Sequence, residues 1–263
     1  MKEQKSVQVT GIIGAMPEEV ETLKHAMQTE EIIKIAEMEF CKGLLEGKPA
    51  VVVQCGIGKV NAGICVQILR SCFGVTRVIN TGVAGSLDNR IEIGDLVVST
   101  DAVQHDYDVS PIGFRKGEIP YTGLVAFQAD EKMRALAVEA ACSGAAAHSK
   151  DPACSGEAAH FKEASHSGTP AIQVFEGRVC SGDQFIASSE QKQRILEEFG
   201  GLCCEMEGAA IAQACYLNGI AFVIIRAISD KADDSEEVSY QEFEQAAARR
   251  CSEIVRSMIS SLD

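Results

Sequence analysis

Three groups of carboxyl-bearing residues stand where apolar runs end. The first is Ser229-Asp230 in AFVIIRAISDKADD (221–234), which follows the unbroken apolar run 222–225 and Arg226. The second is Glu18-Glu19, just past the strand-like stretch ending at Gly14 and behind Pro17. The third is Glu205 and Glu207, flanking Met206 where a very short strand runs into an Ala-rich helix. In an open α/β sheet, ligands gather beyond the carboxyl ends of strands. Carboxyl groups placed there would supply proton transfer. Plainer alternatives stand beside each group. Ser229-Asp230 would suit a helix cap, and Glu18-Glu19 would complement a helix dipole. Two carboxylates beside a packed Ala-rich helix are harder to explain as surface charge. His105 invites a catalytic reading, but a lone loop histidine is more often a structural hydrogen-bonding group.

These residues need strands and helices to position them, and the patterning supplies both. Val7, Val9, Ile12 and Ile13 read as a strand ending at Gly14, with a helix from Pro17 to about Thr29. Residues 37–46 and 49–55 form a hairpin about Gly47-Lys48, and a helix follows through about Phe73. Arg77 to Gly82 is a strand, followed by the turn GVAGSL, whose small residues Ala84 and Gly85 leave backbone N–H groups open to a ligand. Residues 94–103 and 171–180 are further strands, the first leading into the polar loop HDYDVSPIGF and the second into SGDQFI. Helices begin at about Ser189 and after Glu207, and a last one runs from about Ser239 to Leu262 with a recurrent apolar face. The alternation predicts a single α/β domain, 1–263, around a mixed central β-sheet flanked by helices. GIGKVNAG (56–63) is a poor dinucleotide fingerprint, because Asn61 takes the place of the third glycine and no convincing ribose-binding acid follows.

Composition narrows the function classes. The chain has 263 residues, 46% hydrophobic and 24% charged, which suits a soluble globular protein. Its net charge of −14 argues against nucleic acid or an anionic membrane as partner. Residues 1–10 hold no signal-peptide core, and no run approaches a membrane span. Eleven cysteines in a chain of this kind are expected to be reduced thiols in a cytoplasm. At about 141–170, ACSGAAAHSKDP and ACSGEAAHFKEA are near-copies, with SHSGTP as a decaying third. This low-complexity segment is expected to be a non-catalytic insertion. Cys142, His148, Cys154, His160 and His166 are spaced too loosely for an ordinary zinc motif.

GIIGAMPEEV (11–20), GIGKVNAG (56–63), INTGVAGSL (79–87), GDLVVSTDAVQHDYDV (94–109), SGDQFI (181–186), EMEGAAIA (205–212) and RAISDKAD (226–233) occur in this order. Together they make the chain resemble the 5′-methylthioadenosine/S-adenosylhomocysteine nucleosidases of the nucleoside phosphorylase superfamily. Nearly the whole chain is covered, apart from about 141–170. The resemblance implies a nucleoside phosphorylase-like fold and hydrolysis of the N-glycosidic bond of both named nucleosides, with 5′-deoxyadenosine as a further substrate. The products are adenine and the 5-substituted ribose. Asp230 matches the general acid that protonates adenine N7, oriented by Ser229. A carboxyl group in that role must carry its proton to the base, which calls for a desolvated or hydrogen-bonded site. Glu19 matches the residue that activates water, supported by Arg226 and Glu205. Glu207 matches the acceptor for the ribose hydroxyls, with Met206 against the sugar. Phe185 would stack on adenine, while the backbone of Ile186 reads its edge. Tyr240 lies where an aromatic closes over the nucleoside. A homodimer is implied, in which the 109–120 loop of one subunit, with Val109, Ile112 and Pro120, covers the 5′-thio group in its neighbour. No metal and no organic cofactor is called for, since side chains supply both proton donation and water activation.

Val83 departs from the resemblance, standing where many relatives carry a hydroxyl. Pro17 replaces an expected acid at a helix start, where proline is well tolerated. A purine nucleoside phosphorylase would need a cationic pocket for phosphate. The turns at 14–19 and 80–86 hold no arginine or lysine, and Glu19 would repel the anion. A non-catalytic nucleoside-binding relative should have lost Asp230, Glu19 or Glu207. A futalosine-type substrate within the hydrolase class is decided by the 5′-side pocket, on which the sequence is silent.

Overall fold

The apolar runs pair into one ten-stranded mixed sheet, and every group named above sits on or beside it. The computed structural model describes residues 8–148, 172–233 and 236–263, with the side chains of 145–148 and 236–242 outside that description. In chain order the strands are β1 (Thr10–Gly14), β2 (Gln28–Ile35), β3 (Met38–Leu45), β4 (Lys48–Gln54), β5 (Arg77–Ser86), β6 (Leu96–Gln104), β7 (Ala126–Gln128), β8 (Val174–Ser181), β9 (Cys203–Glu205) and β10 (Ala221–Asp230). The helices are α1 (Pro17–Ala26), α2 (Lys59–Phe73), α3 (Glu131–His148), α4 (Ser189–Phe199), α5 (Gly208–Asn218) and α6 (Glu236–Ser261).

β5 is the hub. It runs parallel to β1 and β10 and antiparallel to β9. β10 pairs with β6, β6 with β8, and β8 with β9, so β5, β10, β6, β8 and β9 close into a ring. β4, β3 and β2 extend the sheet on the far side of β1. Because β1, β5 and β10 are parallel, Gly14, Ser86 and Asp230 end at one edge of the sheet. That edge is where a ligand site is expected in an α/β protein.

β5 and β10 are buried along nearly their whole length, which is why β10 opens on a continuous apolar run at 222–225 rather than an alternating one. α2 and α5 cover one face through Val66, Leu69, Ile211 and Cys215. α1, α3 and α6 cover the other through Leu23, Ala137, Val255 and Met258. Each fully buried Leu, Ile or Val side chain in these layers is worth about 1.5–3 kcal/mol relative to an exposed one.

Several boundaries differ from the sequence reading. α1 stops at Ala26 instead of about Thr29, because β2 starts at Gln28 and pairs antiparallel with β3. β2 has no buried face and carries Glu30, Glu31 and Lys34, charges suited to a sheet edge, so no alternation marked it. The segment GVAGSL is the end of β5 and no turn; its backbone is paired with β10 and β9. β10 continues through Ser229-Asp230, so these residues cap no helix. α3 runs to His148, which makes the front of the first repeat helical. Cys154, His160 and His166 lie outside the described residues. No helix among the described residues is long and apolar enough to cross a membrane.

Candidate active site

A cleft of about 630 Å³ opens at the shared edge of β1, β5 and β10. Its walls come from the β1–α1 junction (Ala15, Met16, Glu19), the end of β5 (Val83, Ala84, Gly85), the arm after β8 (Gln184, Phe185, Ile186), the β9–α5 junction (Cys204 to Glu207) and the end of β10 (Ser229, Asp230). Ile57, before α2, completes it.

Asp230 reaches the cleft through an irregularity in β10. The register with β5 shifts between Ile228 and Asp230, the signature of a bulge, which re-aims the side chains beside it. Asp230 is only 3% exposed. Its Oδ2 accepts from Ser229 Oγ at 2.8 Å, and its Oδ1 accepts from the Ala232 N–H at 2.9 Å. Gly85 lies directly across, where an added Cβ would stand 2.5 Å from Asp230 Oδ1. Only glycine permits that approach.

Glu19 is placed by α1. Pro17 occupies the first turn, and the Glu19 carboxylate folds back to accept from the N–H of Met16 at 3.1 Å and of Ala15 at 2.6 Å. This is one half of a capping box. Its other oxygen accepts from the Val83 N–H at 3.0 Å. Glu19 therefore caps the start of α1 and also lines the cleft. Burial pushes its pKa above the ordinary carboxylate value, against the opposing pull of Arg226 and the three N–H donors.

Glu205 and Glu207 have different surroundings. Glu205 is bonded by Ser181 Oγ, by the N–H of Gly208 at 2.8 Å and Glu207 at 3.1 Å, and by Arg226 Nη2 at 2.5 Å. Burial works against its charge, but Arg226, Ser181 and Gly208 hold it below the ordinary value. Glu207 accepts the Gly58 N–H at 2.6 Å and has no salt-bridge partner among the described residues. Burial, reinforced by the neighbouring Glu205 charge, pushes it up to about 8. Two carboxylates side by side are thereby set apart by what surrounds them. Glu205 is anchored, and Glu207 is the one whose second oxygen remains available.

Arg226, expected among the substrate-binding residues, does not line the cleft. It lies fully buried beneath it, donating to Glu205 and, at 2.6 Å, to Asn80 Oδ1. A buried guanidinium needs such partners, and they leave it no reach to a ligand. Asn80 and Ser181 were not singled out from the sequence. Asn80 Nδ2 donates to Ile13 carbonyl at 3.0 Å, and Ser181 Oγ accepts from the Ala209 N–H at 2.7 Å while donating to Glu205. Their one signal was a polar residue inside a buried strand, which must be paired to be tolerated.

Phe185, Ile186, Met206, Ser229, Ala84 and Gly85 all line the cleft as expected from the sequence. Val109, Ile112 and Pro120 do not; they stand on the loop after β6, with Ile112 73% exposed. The Tyr240 side chain lies outside the described residues. His105 does not act as a hydrogen-bonding loop histidine through Nε2, which is buried without a partner among the described residues. Burial holds its imidazole below the ordinary pKa.

A ringed α/β sheet with carboxyl groups gathered over β1, β5 and β10 has clear counterparts. Residues 9–260 match the family model of the Phosphorylase superfamily. A 5′-methylthioadenosine/S-adenosylhomocysteine nucleosidase of Treponema pallidum (strain Nichols) is 39% identical over 247 residues, covering 91% of this chain and 88% of that protein. The crystal structure of the nucleosidase of the same name from Neisseria meningitidis, in complex with methylthio-immucillin-A, superposes with a TM-score of 0.84 at 32% identity, over 97% of this chain and 100% of that one. The native futalosine hydrolase of Helicobacter pylori strain 26695 superposes with a TM-score of 0.83 at 32% identity, over 97% and 99% of the two chains. This chain belongs to the 5′-methylthioadenosine/S-adenosylhomocysteine nucleosidases of the phosphorylase superfamily.

Proposed function

We propose that the cleft hydrolyses the N-glycosidic bond of 5′-methylthioadenosine and S-adenosylhomocysteine, and of 5′-deoxyadenosine, releasing adenine and the 5-substituted ribose. The observation that carries this reading is the convergence of Asp230, Glu19 and Glu207 on one cleft beside the Phe185-Ile186 arm. In this reading Asp230 gives its proton to adenine N7 and Glu19 takes one from the attacking water. Glu207 accepts from the ribose hydroxyls, with Met206 against the sugar. Phe185 stacks on adenine, and the Ile186 backbone reads its edge. Glu205 and Arg226 form the floor that holds Glu207 and Glu19 in place.

Phosphorolysis is the weaker reading. No lysine or arginine lines the cleft among the described residues, and Arg226 is engaged with Glu205. Phosphate would meet Glu19 instead of a cation. A futalosine-type substrate is favoured by one observation, the near-equal fit to the H. pylori hydrolase, and would use the same three carboxyl groups. Free adenine should appear from 5′-methylthioadenosine at the same rate with and without phosphate, and with a chelator present. Formation of a ribose 1-phosphate product would sink the hydrolase reading, and faster turnover of aminodeoxyfutalosine would shift the substrate.

The working form is proposed to be a homodimer whose 109–120 loop reaches the neighbouring cleft. Exposed apolar groups support this: Ile112, Tyr121 at 99% exposure, and Ile57, Val60 and Ile64 along the start of α2. The segment beyond α3 is proposed as a non-catalytic insertion, and the cytoplasm as the location, since the described cysteines form no disulfide. One variant tests the dimer and the insertion together. With 149–170 replaced by a short Gly/Ser linker, the chain should still sediment as a dimer and release adenine at close to the parent rate. A fully active monomer would remove the dimer, and a folded but inactive dimer would show that the segment matters.

A further inference from the structure

Lys59, the first residue of α2, is tied into a ring of polar contacts beside the cleft. Its Nζ donates to Asp106 Oδ1 at 2.6 Å and to Gln104 Oε1 at 3.1 Å, both at the end of β6. Its backbone N–H donates to Asp183 Oδ1 at 2.8 Å, and the Asp183 N–H donates to Asp106 Oδ2 at 2.9 Å. The start of α2, the end of β6 and the arm after β8 are thereby closed on one another. Lys59 and Asp106 are each only 17% exposed as side chains, so water screens the pair weakly. Burial disfavours the Asp106 charge, yet Lys59 and the Asp183 N–H hold its pKa below the ordinary value. None of these side chains lines the cleft, but their immediate neighbours do. Gly58 gives its N–H to Glu207, and Gln184, Phe185 and Ile186 follow Asp183 directly.

Gly58 shows how closely the two segments meet. It has φ of 99°, a conformation open chiefly to glycine, and an added Cβ would stand 3.2 Å from Asp183 Oδ1. Moving Asp183 therefore moves both the turn that supports Glu207 and the root of the Phe185 arm. Asp230 and Glu19 are held elsewhere, by Ser229 and Ala232 and by the Ala15, Met16 and Val83 N–H groups.

We infer that Lys59 is a positioning residue for substrate: through Asp106 and Asp183 its ammonium fixes the turn behind Glu207 and the arm carrying Phe185 and Ile186. The inference rests on the reading that these groups hold the ribose and adenine. It assigns Lys59 to binding of the nucleoside and of the free base, and away from the proton transfers at Asp230 and Glu19.

Lys59→Met keeps the length of the side chain and removes the charge. Losing one charge-assisted contact should raise KM for 5′-methylthioadenosine and weaken inhibition by adenine, each about tenfold, with kcat within about threefold of the parent. Asp106→Asn, nearly isosteric, should move both quantities in the same direction, and it carries the test if Lys59→Met does not fold. A variant with a lowered melting temperature but unchanged KM and adenine inhibition would overturn the inference. So would a loss confined to kcat. Failure of the functional reading looks different: the parent protein itself would release no adenine.

Discussion

Asp230→Asn is expected to lower the rate of adenine release by about 10²–10⁴-fold, the usual worth of a general acid, while leaving the fold intact. The carboxamide keeps the shape of the side chain. One of its polar atoms can accept the Ala232 N–H at the place of Oδ1, and the other meets Ser229 Oγ, which can turn to accept instead of donate. The change therefore removes the proton that adenine N7 needs and little else. Turnover measured beside a melting curve checks this. Near-normal release of adenine by a folded Asp230→Asn variant would show that the acid is another group.

Glu19→Gln is expected to cause a loss of similar size, about 10²–10⁴-fold, for a different physical reason. The two Glu19 oxygens together accept three backbone N–H groups, from Ala15, Met16 and Val83. A glutamine offers one oxygen, so its NH₂ must face an N–H donor on one side. The variant thus loses the base and also loosens the amino end of α1. Burial raises the Glu19 pKa above the ordinary carboxylate value, toward the range in which a general base works best. Since the base must be ionised to act, activity should climb with pH on the acid side as Glu19 loses its proton. That limb should vanish in Glu19→Gln, while adenine inhibition stays within a few-fold of the parent. An unchanged acid limb in the variant would assign it to another group and take the water-activating role from Glu19.

Much of the positioning logic was legible in the chain. The run at 222–225 belongs to a strand buried on both faces, and burial leaves its mark there as an unbroken apolar string, while in 10–14 and 77–82 the mark is shorter, Ile12-Ile13 and Val78-Ile79. Pro17 and the acids behind it start α1 for reasons contained within one helical turn. With the strands and their order in place, Glu19, Glu207 and Asp230 were identifiable as groups at strand ends. β2 was not, since an edge strand with no buried face has no alternation to betray it.

What the sequence by itself determined, then, is the succession of elements and the carboxyl groups that end them. The tertiary structure alone decided how those groups differ. The bulge that turns Asp230 toward Gly85 exists because β10 must pair with β5 on a shifted register. Glu205 and Glu207 are equivalent in local pattern, yet Arg226 reaches only Glu205, and Gly58 only Glu207. The placement of Arg226 below the cleft depends on Asn80, and that of Lys59 on Asp106 and Asp183. Each of these is an electrostatic or hydrogen-bonded contact between residues far apart in the chain. Its strength comes from the burial that folding creates, so no local stretch of sequence can carry it.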